Sequence, residues 1–171
     1  DKAWICDKAK VYDKAIVYDK AIVYGEARVY DEARVCGKAR VSGEAWISGK
    51  AKVFDVAWIY DEARVCGEAI VYGKAEVYGE ARVYGEARVC GKARVYGTAE
   101  VYDRVINLIG VCEYNITSFN DRLVIGCEDH SFEEWRVKGR NIMKQNNIFP
   151  RGEEKYKLIL EFCKNLAAIK E

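Results

Sequence analysis

The amino-acid sequence predicts an all-β protein with an α-helical tail: a parallel β-helix, then a β cap, then two C-terminal helices. Three observations carry this. Residues 1–102 form seventeen uninterrupted six-residue units with Ala third and Val or Ile fifth in every unit, from Ala3 and Ile5 to Ala99 and Val101. Each unit opens on Asp or Gly. The pattern then fails at Asp103 and gives way first to a turn pair and then to helical spacing.

Within a unit, positions three and five are small apolar residues separated by one variable residue, the spacing that points both side chains of a strand into one core. Position four must face solvent, and it accommodates Arg28, Lys52, Glu76 and Trp58 alike. Asp and Gly tolerate unusual backbone angles, so position one turns the corner. Nothing in the units provides the two-residue loops of hairpins. A chain that turns the same way every six residues stacks into a parallel β-helix.

After "DRVINLIGVCEY", where Val105 replaces Ala and Asn107 replaces Val, "NITSFNDRLVIGC" reads as two strands around Asn120-Asp121. A β-helix ends in unpaired edges, so residues 103–130, as a terminal coil and a β-hairpin, are expected to cap residues 1–102. Residues 131–171 are expected to be helical. Ser131 with Glu134 makes a capping box, and beyond Pro150 and Gly152 the residues Tyr156, Ile159, Leu160, Cys163 and Leu166 share one helix face. Trp135 and that face are expected to cover the prism or a second subunit.

The stretch "ARVYGEARVCGKARVYG", Ala81 to Gly97, resembles the hexapeptide-repeat left-handed parallel β-helix superfamily, in which three hexads make one triangular coil. Acyltransferases of that superfamily usually place Gly or Asp directly after the inward aliphatic residue, whereas here Tyr, Cys, Ser or Phe intervenes. The resemblance implies about six triangular, left-handed coils. In the tail, Ile125-Gly126-Cys127, His130-Ser131 and Glu133-Glu134-Trp135 resemble poorly characterised hexapeptide-repeat proteins of phages and prophages, which implies an origin rather than an activity.

With eighteen residues per coil, every eighteenth residue shares a column. One corner column reads Lys2, Lys20, Lys38, Val56, Lys74, Lys92, and a neighbouring one Lys8, Glu26, Glu44, Glu62, Glu80, Thr98. The outward columns gather Trp4, Ile22, Arg40 and Trp58 on one face and Arg28, Trp46, Arg64 and Arg82 on the next. Exposed aromatics beside Arg are typical of interaction surfaces. Trp4, Ile22, Tyr24, Arg40, Trp46, Trp58 and Tyr60 are therefore the candidate binding residues.

Lys plus Arg number 28 against 27 Asp plus Glu, a balance that argues against nucleic acid as an obligatory partner. No apolar run is long enough to cross a bilayer, so no membrane role is expected. The seven cysteines are odd in number and dispersed, as in a reducing compartment, and the cytoplasm of a bacterial host is the expected location.

The expected function is non-enzymatic: a protein-binding protein, phage- or prophage-derived, engaging a bacterial host protein as an inhibitor of a defence system, and a dimer or trimer of its own chain. The alternative is a hexapeptide-repeat acyltransferase using acyl-CoA. The resemblance implies that such an enzyme has a general base, often His, on the coil wall and a loop that leaves the coil; residues 1–102 contain neither, and the single His is His130. Cys112, Cys127 and His130 lack an evident fourth ligand for zinc, so no metal and no cofactor are expected.

Overall fold

The computed structural model describes residues 2–102, 106–108, 116–120, 122–125, 128–145 and 161. The chain divides into two units, Asp1–Val105 and Ile106–Glu171.

The first unit is a parallel β-solenoid. Its seventeen two-residue strands occupy positions four and five of each hexad and fall into three parallel sheets of six, six and five strands. The first sheet stacks Trp4–Ile5, Ile22–Val23, Arg40–Val41, Trp58–Ile59, Glu76–Val77 and Arg94–Val95. The second carries Lys10, Arg28, Trp46, Arg64, Arg82 and Glu100 outward, and the third Ile16, Arg34, Lys52, Ile70 and Arg88. Register is eighteen residues throughout: Trp58 pairs with Arg40 below and Glu76 above.

Backbone groups tie successive coils together. The Trp58 N–H donates to the Ala75 carbonyl at 2.9 Å, the Tyr60 N–H to Val77 at 3.0 Å, and the Glu62 N–H to Gly79 at 3.1 Å. From the second coil upward the inward Ala and Val or Ile side chains are fully buried, from Ala21 and Val23 through Ala93 and Val95. The core is thus two residue types repeated, each buried Val worth about 1.5 to 3 kcal/mol before chain entropy is subtracted.

Position one turns every corner at positive φ. Asp7, Asp13, Asp19, Asp31, Asp55 and Asp61 lie at φ of 56 to 61°, and the corner glycines in the same region. An L-residue in this region costs about 1 to 2 kcal/mol, which Asp offsets through local hydrogen bonding. Here its carboxylate reaches the next coil. Asp7 accepts from the Gly25 N–H at 3.1 Å, Asp31 from Gly49 at 2.9 Å and Asp61 from Gly79 at 3.2 Å.

Glycine is required where a corner lies tight beneath the next one. A Cβ on Gly43, at φ +66, would stand 2.8 Å from the backbone N and O of Asp61. Gly91, at φ +68, would meet nothing within 4 Å. We expect Gly43→Ala to cost about 1 to 3 kcal/mol from φ strain plus overlap, and Gly91→Ala to cost the strain alone. Chemical denaturation of the two variants checks this, and equal losses would show that corner spacing relaxes freely.

The second unit has a four-stranded antiparallel sheet of Ile106–Leu108, Ile116–Phe119, Arg122–Ile125 and Glu128–Ser131, in that spatial order. Asn120, at φ 51°, turns the central hairpin at the turn pair read from the sequence. The sequence expectation of two strands was too small because, of the flanking strands, one, Ile106–Leu108, is only three residues long and the other, Glu128–Ser131, holds no apolar residue. One helix, Phe132–Gln145, follows directly. Its start is the expected capping box: the Ser131 N–H donates to the Glu134 carboxylate at 3.0 Å, and the Glu134 N–H to the Ser131 hydroxyl at 3.2 Å. Those bonds to Ser131 hold the Glu134 carboxyl below its usual pKa. Trp135, Gly139 and Ile142 form the buried face, and the Trp135 indole N–H donates to the Leu123 carbonyl at 2.6 Å. Tyr156, Ile159, Leu160, Cys163 and Leu166, the expected second helix face, lie outside the described residues.

Candidate interaction surface

The solenoid presents three outward faces, each set by position four of its strands and bordered by two corner rows from position two. On the first face, Trp4 and Ile22 are register neighbours, Arg40 follows, and then Trp58. Trp4 is 67% exposed and Trp58 37% exposed, both large apolar side chains left in water. Arg40 and the buried Ser42 separate the lower cluster of Trp4, Ile22 and Tyr24 from the upper one.

The upper cluster is larger than the sequence reading supposed. Trp58 packs on Tyr60 with ring centroids 4.7 Å apart, Tyr60 stacks on Tyr78 at 4.8 Å, and Tyr78 on Tyr96 at 5.4 Å. Tyr78 and Tyr96 were missed as site residues, although both stand eighteen-residue steps above Tyr60. Arg94 pairs with Glu76 at 3.1 Å beside this ladder. Burial, with the Glu76 carboxylate next in weight, pushes the Tyr60 phenol up to about 12. A pKa raised in the fold contributes stability that is complete below the ordinary tyrosine value near 10 and is lost as pH rises through about 12. In an alkaline absorbance titration, Tyr60→Phe should remove the last phenolate step; persistence of that step would place the protected phenol elsewhere.

Trp46 lies on the second face, apart from Trp4 and Trp58. It is held between the guanidinium groups of Arg28, 4.9 Å from the ring centroid, and Arg64, 5.1 Å away. Tyr30 meets it edge-on at 6.3 Å and is itself stacked on Tyr12 at 5.2 Å. Such cation–π contacts are worth about 0.5 to 1 kcal/mol each at exposed sites, so Trp46 fastens three coils to one another. Arg82, the third arginine of this face, pairs with Glu100 at 3.2 Å. On the third face Phe54 stacks on Tyr72 at 5.2 Å.

The corner rows differ in sign. Lys20, Lys38, Lys74 and Lys92 line one border of the first face, and Glu26, Glu44, Glu62 and Glu80 line the other, all exposed. Vertical ion pairs occur where signs alternate within a row: Lys8 with Glu26 at 2.8 Å and Lys50 with Glu68 at 3.4 Å.

No known protein family matches this chain, and neither a curated protein nor a solved structure matches it.

Outside the solenoid, His130 is the candidate base of the acyl-transfer alternative. It lies on the strand Glu128–Ser131, one residue before the helix cap, with Nε2 3.0 Å from the Glu128 carboxylate and its ring edge-on to Trp135 at 5.4 Å. Both contacts hold the imidazole in place. Cys112 and Cys127 lie outside the described residues, among which no group of three His, Cys, Asp or Glu could hold a metal ion. Cys6, Cys36, Cys66 and Cys90 are free thiols, and burial pushes the Cys66 thiol up, away from the reactive thiolate. Among the described residues no helix is long and apolar enough to cross a membrane.

Proposed function

We propose that this chain is a non-enzymatic protein-binding protein, a left-handed hexapeptide-repeat solenoid whose first face docks another protein. The observation that carries this is the exposure of Trp4 and Trp58 in one column with Ile22 and Arg40, continued by the Tyr60, Tyr78 and Tyr96 ladder. Aromatic residues and Arg are the side chains from which binding hot spots are built. A rigid hydrogen-bonded sheet holds them in fixed order, so little conformational entropy is lost on docking.

The setting we propose is that of a phage or prophage product in the bacterial cytoplasm, where it engages a host protein and inhibits a defence system. The tail resemblance supports it. What weighs against the acyltransferase alternative is that residues 1–102, the coil wall on which such a base would sit, carry no His and no inserted loop.

Affinity capture of the tagged chain from bacterial lysate, followed by mass spectrometry, tests the reading. The expected result is a stoichiometric protein companion whose retention falls about tenfold or more with Trp4→Ala or Trp58→Ala. A chain that retains no protein and binds acyl-CoA in a His130-dependent way would return the argument to acyl transfer.

A further inference from the structure

The two corner rows that border the first face make it self-complementary in charge, and in one orientation only. Each strand of that face runs from a Lys-row corner to a Glu-row corner six residues later, as from Lys38 through Arg40–Val41 to Glu44, and from Lys74 through Glu76–Val77 to Glu80. If two copies meet through this face about a two-fold axis parallel to the solenoid axis, the left border of one lies against the right border of the other at the same height. Lys38 then faces the partner copy's Glu44 row and Lys74 its Glu80 row, twice each by symmetry. An antiparallel pair brings Lys against Lys and Glu against Glu, which like-charge repulsion disfavours. Neither of the other faces offers this. The second has a Glu-rich border on one side and the mixed Lys14, Glu32, Lys50, Glu68, Glu86 row on the other, and the third would set Arg34, Lys52 and Arg88 against themselves on the axis.

The centre of the first face fits the same arrangement. Position four lies on the two-fold, so Trp4, the half-buried Ile22 and Trp58 meet their own counterparts, burying the two indoles that a lone copy exposes. Arg94 is neutralised by Glu76, so Arg40 is the one cation of this column that the two-fold sets unpaired against its own counterpart, where the third face would set three.

We propose that the first face pairs with the first face of a second copy, giving a side-by-side dimer with parallel solenoid axes, registered by the Lys row of each copy against the Glu row of the other. This rests on the reading of the first face as a protein-docking face and names its occupant.

Charge reversal tests the orientation as well as the contact. Lys38→Glu with Lys74→Glu makes both borders acidic, and Glu44→Lys with Glu80→Lys makes both more basic. The substituted residues are exposed, and thermal melting of each variant checks that the fold is kept. Light scattering should find the wild-type chain dimeric at low salt and weaker as salt rises, and each variant alone at least about tenfold weaker in self-association. Mixing the two variants should restore a 1:1 dimer, because acidic borders then meet basic ones. A single chain carrying all four substitutions should self-associate again, which only the parallel arrangement allows because the antiparallel one still sets like rows together. A monomeric or trimeric wild type, variants that self-associate unchanged, or a mixture that stays monomeric overturns the proposal. A monomeric wild type that still retains a host protein through Trp4 and Trp58 overturns the pairing while the protein-binding reading stands; retention of no protein and no second copy overturns both.

Discussion

Trp135→Ala should unfold the sheet and helix of the Ile106–Glu171 unit and leave the solenoid standing. Trp135 is the largest fully buried side chain of the described residues, and the helix Phe132–Gln145 holds the strand Arg122–Ile125 through it. Truncating such a side chain costs about 3 to 5 kcal/mol. The same change removes the indole N–H that satisfies the buried Leu123 carbonyl, a further loss of about 1 to 3 kcal/mol if no water replaces it. Against the about 5 to 15 kcal/mol that holds a typical domain together, the sum removes most of the margin. Two-probe melting should show it: the tryptophan-independent β signal of the repeat keeps its transition while the helical signal melts early. Trp135→Phe keeps most of the apolar area and should recover part of the loss. A helical signal unmoved by Trp135→Ala would mean that the indole does not hold the unit together.

Ile59→Ala is the second large effect, expected to cost about 2 to 5 kcal/mol, with Ile59→Val costing about 0.5 to 1.5 kcal/mol. The contrast follows from the column. Ile59 is fully buried between Val41 and Val77, so Val at this place reproduces what the coils above and below already contain. Alanine instead leaves a hole beside Ala57, in a core whose walls are fixed by hydrogen bonds to both neighbouring coils. In a stack where each repeat is stabilised by its neighbours, a lesion in the middle also uncouples the coils on either side. The denaturation curve of Ile59→Ala should therefore broaden as well as shift. A sharp, parallel shift equal to that of Ile59→Val would show that the stack unfolds as one unit and that the hole collapses.

The solenoid was legible because its code is local. Ala third, Val or Ile fifth and Asp or Gly first are visible within six residues, and each has one physical meaning. The capping box at Ser131 and Glu134 was legible for the same reason. What lay eighteen residues apart was harder. Arg28, Trp46 and Arg64 had been aligned in one column, yet Trp46 was grouped with Trp4 and Trp58 as a contact residue, because a column gives adjacency and not the rotamers that clamp an indole between two guanidiniums. The Tyr60, Tyr78 and Tyr96 ladder likewise stands in one column, and the column alone does not say that successive rings stack. The outer strands Ile106–Leu108 and Glu128–Ser131 gave little signal, since the second of them, Glu-Asp-His-Ser, has no apolar residue and is a strand only because Arg122–Ile125 pairs with it.

The Asp corners constrain how such a chain can change length. In five corners among the described residues an Asp carboxylate accepts from the N–H of the Gly eighteen residues later. Near-identical hexads invite unequal recombination, and adding or losing one hexad keeps every strand in frame. It nevertheless rotates all later columns by a third of a turn, so that Lys rows continue as Glu rows and Asp corners meet the wrong partners. Three hexads together restore every column. The fold itself would accept growth in steps of six, whereas its surface pattern is inherited only in steps of eighteen.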